Sequence, residues 1–238
     1  MVRSRASGTR RDRSSGMSLV DEALIALDPD FERNDLPAII GRRISGRFTI
    51  DEWGLDRDLV AASQPLVQLR WGLHIDGAEF LPELGAALVI HTRRLGISEP
   101  AVLAASVQQV TGRPLRTTGC GASLPGPLGP LARRLGAVPS GTADLRSLLR
   151  AGELVSVPLD RELRHPYHAG PVPVTPIAVA LAAGVPIIPV AVAGLEFARW
   201  WTIRIGRPIV TRRKVDADPA ELADAVRQRL QRLLNVDR

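Results

Sequence analysis

Four consecutive apolar residues, Ala87 to Ile90, run into His91, and the chain turns polar immediately afterwards. A short continuous run of this kind reads as a buried strand. Ser98 then stands as an N-cap before Leu103, Val107 and Val110, which repeat at i, i+4 and i+7 and so mark a helix. The block is strand, histidine-bearing loop, helix, and it is the unit on which the rest of the chain is read. In open α/β sheets ligands bind at the carboxyl ends of strands, which is where His91 falls. A lone histidine on a strand is more often structural, so only its surroundings give His91 functional weight.

Downstream of this block strands and helices take turns. Strands are expected at Leu115–Thr118, Glu153–Val157, Pro186–Val192 and Thr202–Ile205. Helices are expected over Glu99–Val110, from a Thr142 cap through Leu145, Leu148 and Leu149 to a Gly152 stop, and over Thr175–Ala183 with Gly184 as its stop. The Gly/Pro-rich stretch Gly121–Pro130 reads as a loop running into a short helix that ends at Leu135-Gly136. The closing helix opens on Asp218-Pro219-Ala220-Glu221 and carries Leu222, Val226, Leu230, Leu233 and Leu234 on one face. This alternation argues an α/β layered domain with a largely parallel central sheet flanked by helices. Upstream, Leu59–Leu69 reads as a helix interrupted at Pro65, and Gln68–Asp76 alternates like a half-exposed strand closed by an Asp76-Gly77 turn. His74 lies within that alternation and is read as structural.

The division expected is a disordered basic arm over 1–17, an N-terminal helical lead-in over 18–60 and the α/β domain over 61–238. The arm is rich in Arg, Ser and Gly and has no apolar period. The lead-in offers Leu19, Val20, Ala23, Leu24 and Leu27 on one helical face.

Composition narrows the function. The 238 residues allow one sizeable core, and 45% hydrophobic content excludes general disorder. No apolar run reaches the roughly 18 residues of a spanning helix. The beginning of the sequence lacks the apolar core of a signal peptide, and a single cysteine, Cys120, excludes an internal disulfide and a cysteine-based metal cluster. A cytoplasmic protein is therefore expected. The net charge of +6 rests almost wholly on arginine, since Lys214 is the only lysine. Arginine's planar fork suits phosphate, so phospholipid head groups, coenzyme A and nucleic acid are the partners to weigh; arginine richness also follows from codon composition alone. Nucleic acid ranks last, because no aromatic interleaving or reading motif accompanies the basic residues.

Several blocks together resemble the glycerolipid acyltransferase superfamily, of the lysophosphatidate acyltransferase type. Leu181-Ala-Ala-Gly-Val-Pro186-Ile-Ile-Pro189-Val-Ala-Val-Ala-Gly194 is similar to that family's last block, an alanine-rich helix, a Gly-Val-Pro turn and a buried strand. Leu148–Pro158 resembles the helix and strand that lead into its Pro-Glu-Gly block, Leu135–Pro139 falls where its second block would, and Ile203–Pro208 resembles the strand after the last block. Phe48–Asp56 looks like the lead-in of actinobacterial members. The likeness spans roughly residues 47–210 and implies the fold expected above.

The resemblance also implies chemistry. The family's first block is Asn-His followed, after four intervening residues, by Asp, a general base and the carboxylate that orients it. Here His91 is present, Ile90 stands at the Asn position and Gly96 at the Asp position. Glu99 is the nearest replacement, and its alternative role is to stabilise a helix dipole in the first turn. In the Pro-Glu-Gly-Thr-Arg block Pro158 matches, while Leu159 and Asp160 replace Glu and Gly. The implied catalytic residues are His91 with Glu99 or Asp160, and the implied phosphate contacts are Arg93, Arg94, Arg161 and Arg164. Asp160, His165 and His168 form too weak a pattern for a metal site, and none is expected.

Two functions follow. One is transfer of a fatty acyl group from a thioester, acyl-CoA or acyl-carrier protein as co-substrate with no other cofactor, to a hydroxyl of a lysophospholipid-like acceptor. The other is a catalytically inactive member of the fold that binds lipid, acyl carrier or a protein partner, as the altered blocks allow. Membrane contact is expected to be peripheral, on the inner face of the cell membrane, through residues 18–45 and the surroundings of Trp53, Trp200 and Trp201.

Overall fold

Strand β2 (Ala87–His91) is buried at all five positions and lies in the middle of a seven-stranded sheet of order β1-β7-β6-β2-β5-β3-β4. The computed structural model describes residues 50–93, 98–119, 125–159, 168–211 and 217–235. The other strands are β1 (Gly72–Asp76), β3 (Leu115–Thr118), β4 (Ala137–Val138), β5 (Leu154–Pro158), β6 (Ile187–Ala193) and β7 (Trp200–Ile205). The helices are α1 (Arg57–Arg70), α2 (Glu99–Thr111), α3 (Leu128–Arg134), α4 (Thr142–Arg150), α5 (Val174–Ala183) and α6 (Pro219–Leu234). Strands β2 to β6 are mutually parallel, and the β6–β7 pairing alone among them is antiparallel. Strand β1 pairs parallel to β7, so this edge strand and its neighbour run against the rest. The architecture is the layered α/β fold with a mostly parallel sheet that the alternation of elements implies.

Side-chain parity divides the core. Leu88 and Ile90 join Val155, Val157, Leu148, Ile177 and Val226 on the face covered by α4, α5 and α6. Ala87 and Val89 join Val102, Leu103, Val107, Ile188 and Ile203 on the face covered by α2. Successive residues of a strand point to opposite faces, so His91 belongs with Ala87 and Val89 on the α2 side. Each Leu, Ile or Val so buried contributes about 1.5–3 kcal/mol.

Several local expectations are corrected. Helix α1 passes through Pro65 without a break, held on its inner side by Val60 and Ala62. It is capped by Asp56, which accepts the Leu59 N–H at 2.9 Å, and it extends to Arg70, so the alternating strand begins only at Gly72. Thr142 is the first residue of α4 and Gly141 its cap. The two-residue β4 has too few residues to show a period, and the sequence gives no sign of it. At the turn after β1, Gly77 has φ +75°, and a Cβ there would fall 2.1 Å from the Ile205 carbonyl oxygen, which only glycine avoids. Trp200 and Trp201 part company: Trp201 is buried under Gly194, whereas Trp200 is exposed. The 1–17 arm and almost all of the 18–60 lead-in lie outside the described residues. No helix among the described residues is long and apolar enough to cross a membrane.

The segment before α1 is tied to the sheet by a buried cation. Arg116 of β3 is fully buried, forms an ion pair with Asp51, lies 3.4 Å from Glu153 Oε2 and stacks over the Trp53 ring at 5.5 Å. Partial burial pushes the Asp51 carboxyl upward, but its hydrogen bond and charge interaction with Arg116, with the Leu55 and Trp53 N–H groups, outweigh this and hold it below the usual carboxylate range. A carboxylate lowered on folding contributes stability above its ordinary range and loses it as pH falls through the folded-state value. Asp51→Asn is therefore expected to cost about 2 kcal/mol at neutral pH. The gap from wild type should close in acid, as checked by urea unfolding at both pH values.

Candidate active site

His91 ends β2, and its ring is buried to 2% exposure. Its Nδ1 lies 2.9 Å from Oε1 of Glu99 and 3.0 Å from the carbonyl oxygen of Thr92. Both partners are acceptors, so Nδ1 carries the hydrogen and donates. In the neutral ring Nε2 is then the nitrogen with the free lone pair. Glu99, 3% exposed, reaches His91 from the first turn of α2, eight residues along the chain. The same position that would serve the helix dipole thus also places a carboxylate on the imidazole.

Two further anchors hold this loop. Thr92 donates its backbone N–H to Val190 O at 3.1 Å, and its hydroxyl accepts from Val192 N at 2.9 Å and donates to Val192 O at 3.2 Å. Ser98 occupies the N-cap position but makes no capping bond with its side chain. Its backbone is helical rather than extended, and its hydroxyl turns instead to Oε1 of Glu196 at 2.5 Å, while Glu196 also accepts the Ser98 N–H. The carboxylate that accepts the Ser98 N–H at the mouth of α2 therefore comes from the β6–β7 connection, not from the local sequence.

Helix α2 leaves β2 on one face of the sheet and α5 follows β5 on the other, so the loops part at the carboxyl ends of the strands. In that crevice a recess of about 20 Å³ is lined by His91, Arg93, Glu99, Pro100, Thr118, Gly119 and Pro158. It has room for about one water-sized group. Arg93, Thr118, Gly119 and Pro158 are shared with a larger groove of about 300 Å³, whose walls include Leu145, Val157, Leu159, Pro173 and Pro176 with the hydroxyls of Ser140, Thr142 and Thr175. The structure thus brings together His91, Glu99 and Arg93, with Arg93 exposed at the rim. Arg94, Asp160, Arg161, Arg164 and His165 lie outside the described residues. Among the described residues no three His, Cys, Asp or Glu side chains gather as around a metal ion.

Sequence reasoning passed over Thr92, Thr118 and Glu196. Thr118 ends β3, and the rule that singled out His91 at the end of β2 reaches it too. Thr92 and Glu196 act across about a hundred residues of chain and leave no local signal.

No protein-family model matches the chain, and no curated protein matches it by sequence. By structure it is similar to the 1-acyl-sn-glycerophosphate (LPA) acyltransferase PlsC from Thermotoga maritima, with a TM-score of 0.58 and 14% identity. The match covers 75% of this chain and 79% of the other. The two proteins share a fold. That is the layered domain which the sequence blocks resemble.

Because Thr92 grips Val192 by both its N–H and its carbonyl, Thr92→Val should lower stability by about 1–2 kcal/mol. Urea denaturation of the two proteins measures it.

Proposed function

We propose that the protein is an acyltransferase that moves a fatty acyl group from a thioester, acyl-CoA or acyl-carrier protein, to a hydroxyl of a lysophospholipid-like acceptor. The observation that carries this reading is the 2.9 Å hydrogen bond from His91 Nδ1 to Glu99, which leaves Nε2 as the basic nitrogen beside a recess of hydroxyl size. The shared fold with a solved LPA acyltransferase supports it. Glu99 then takes the orienting part that Gly96 cannot play.

In this mechanism Nε2 of His91 removes the acceptor hydroxyl proton as the oxygen attacks the thioester carbonyl carbon. Glu99 keeps the hydrogen on Nδ1 and stabilises the imidazolium. The tetrahedral intermediate collapses with cleavage of the carbon–sulfur bond, and the departing thiolate takes the proton back from Nε2. Ester and thiol are the products, and atoms and charges balance. Arg93, at the rim of both cavities, binds a phosphate of acceptor or donor, and the apolar walls at Leu145, Val157, Leu159, Pro173 and Pro176 receive the acyl chain. Arg94, Arg161 and Arg164 supply further phosphate contacts, and Asp160 is the second acid to be tested. The reaction needs no cofactor beyond the thioester, and it runs at the cytoplasmic membrane face.

The test is acceptor-dependent thiol release from long-chain acyl-CoA and acyl-carrier protein with lysophosphatidate. His91→Ala is expected to abolish it, and Glu99→Gln to lower kcat by about a hundredfold to ten-thousandfold with KM little changed. Suppression by Asp160→Asn but not by Glu99→Gln would reassign the carboxylate. No turnover by folded wild type with either donor would overturn the proposal.

A further inference from the structure

The largest exposed apolar side chains of the described residues include Phe197 at 92%, Leu195 at 75%, and Trp200 and Leu69 at 70%. They are not scattered. Gly72, just after α1, pairs with Trp200, and its N–H donates to Arg199 O at 2.7 Å. Arg70 Nη1 lies 3.5 Å from the Ala198 carbonyl oxygen. Leu66, Leu69 and Arg70 are spaced i, i+3, i+4 and share one face of α1, with both leucines exposed. The end of α1 and the β6–β7 connection therefore form one surface, apolar at its tip.

Cations frame that tip. Arg70 stacks over Trp71 at 5.4 Å and Arg199 over Trp200 at 5.9 Å, and neither has a carboxylate partner among the described residues. Aromatic and aliphatic groups flanked by arginine match a bilayer interface, where rings enter at head-group depth and guanidinium groups meet lipid phosphate. A protein partner needs no such pairing of exposed tryptophan with arginine. The surface is also preformed, because the Trp200 ring lies over Gly72, where a Cβ would clash at 2.2 Å.

We propose that Leu69, Leu195, Phe197 and Trp200, flanked by Arg70 and Arg199, form a docking surface for an anionic lipid bilayer. Its position is functional. Strand β6 runs parallel to β2 with Val190 level with His91, so the connection that begins after Ala193 projects beyond the carboxyl end of β2. Its Glu196 is the residue that holds Ser98, the neighbour of Glu99. Docking here brings the His91 crevice to the membrane surface and braces the loop that enters the lipid against the helix that orients the histidine.

The test is co-sedimentation of the full chain with vesicles of phosphatidylcholine alone and of an equimolar phosphatidylcholine–phosphatidylglycerol mixture. It is read without turnover, so it stands or falls apart from acyl transfer. Wild type is expected to favour the anionic vesicles. Leu195→Ser with Phe197→Ser should weaken partitioning about tenfold or more, since two large side chains lose their burial in lipid. Arg70→Gln with Arg199→Gln should remove about fivefold per charge on anionic vesicles and little on neutral ones. Brominated lipids should quench wild-type tryptophan fluorescence, and Trp200→Phe should lose most of that quenching, a readout that needs no variant of the loop itself. Absence of binding by wild type, or binding unchanged in the Leu195/Phe197 variant, would overturn the proposal and, in the second case, assign lipid contact to the arginine-rich first residues. A Leu195/Phe197 variant that keeps vesicle binding and loses acyl-carrier protein would overturn it in favour of a protein partner.

Discussion

Strand β2 is hydrogen-bonded on both sides, to β5 and to β6, and covered on both faces, and the rest of the molecule follows from that enclosure. A central strand of a parallel sheet has nowhere to put a polar side chain until it ends. His91 is the residue at which it ends. The parity that sends Leu88 and Ile90 toward α4, α5 and α6 sends Ala87, Val89 and His91 toward α2. The imidazole thus arrives beneath the first turn of the helix that brings Glu99, and both groups are buried as a hydrogen-bonded pair, which is the condition on which buried polar groups are tolerated.

Preorganisation around that pair comes from connections remote in sequence. Thr92 is fixed to β6 through Val190 and Val192, and Ser98 is fixed to the β6–β7 connection through Glu196. Thr92 and Ser98 are thereby held by the same strand and its exit. An imidazole held in this way keeps its tautomer and its direction, the two properties that the general base we propose needs. The same β6–β7 exit bears the apolar tip and its arginines, so one structural element joins the crevice to the surface we assign to lipid.

The arginines that dominate the charge serve several ends that composition does not separate. Arg116 is wholly buried, where Asp51, Glu153 and the Trp53 ring compensate its desolvation and fasten residues 50–56 to the sheet. Arg113 satisfies the carbonyls of Pro82, Gly85 and Gly152 below the strands. Arg93 stands at the mouth of the crevice, and Arg70 and Arg199 lie on tryptophan rings at the surface. A net charge of +6 reports their sum and none of these roles.

The sequence by itself determined the elements and their kind. Ala87–His91 and Leu115–Thr118 appear with the expected limits, Gly184 stops α5 at φ +64°, and Asp218 caps α6 ahead of Pro219. These are local matters of period, cap and stop, written in neighbouring residues. It also singled out His91, because a polar residue closing a buried strand stands out from its neighbours. Only the tertiary structure decided strand order, the reversed direction of β1 and β7, which of Trp200 and Trp201 is buried, and whether Glu99 meets the histidine. Each of these depends on side chains and strands meeting across the sheet. In sequence Glu99 is a candidate partner for His91 and equally an acidic residue in a first helical turn, and nothing local chooses between the two. Eight residues of separation become 2.9 Å because β2 and α2 pack at an angle that no local pattern specifies.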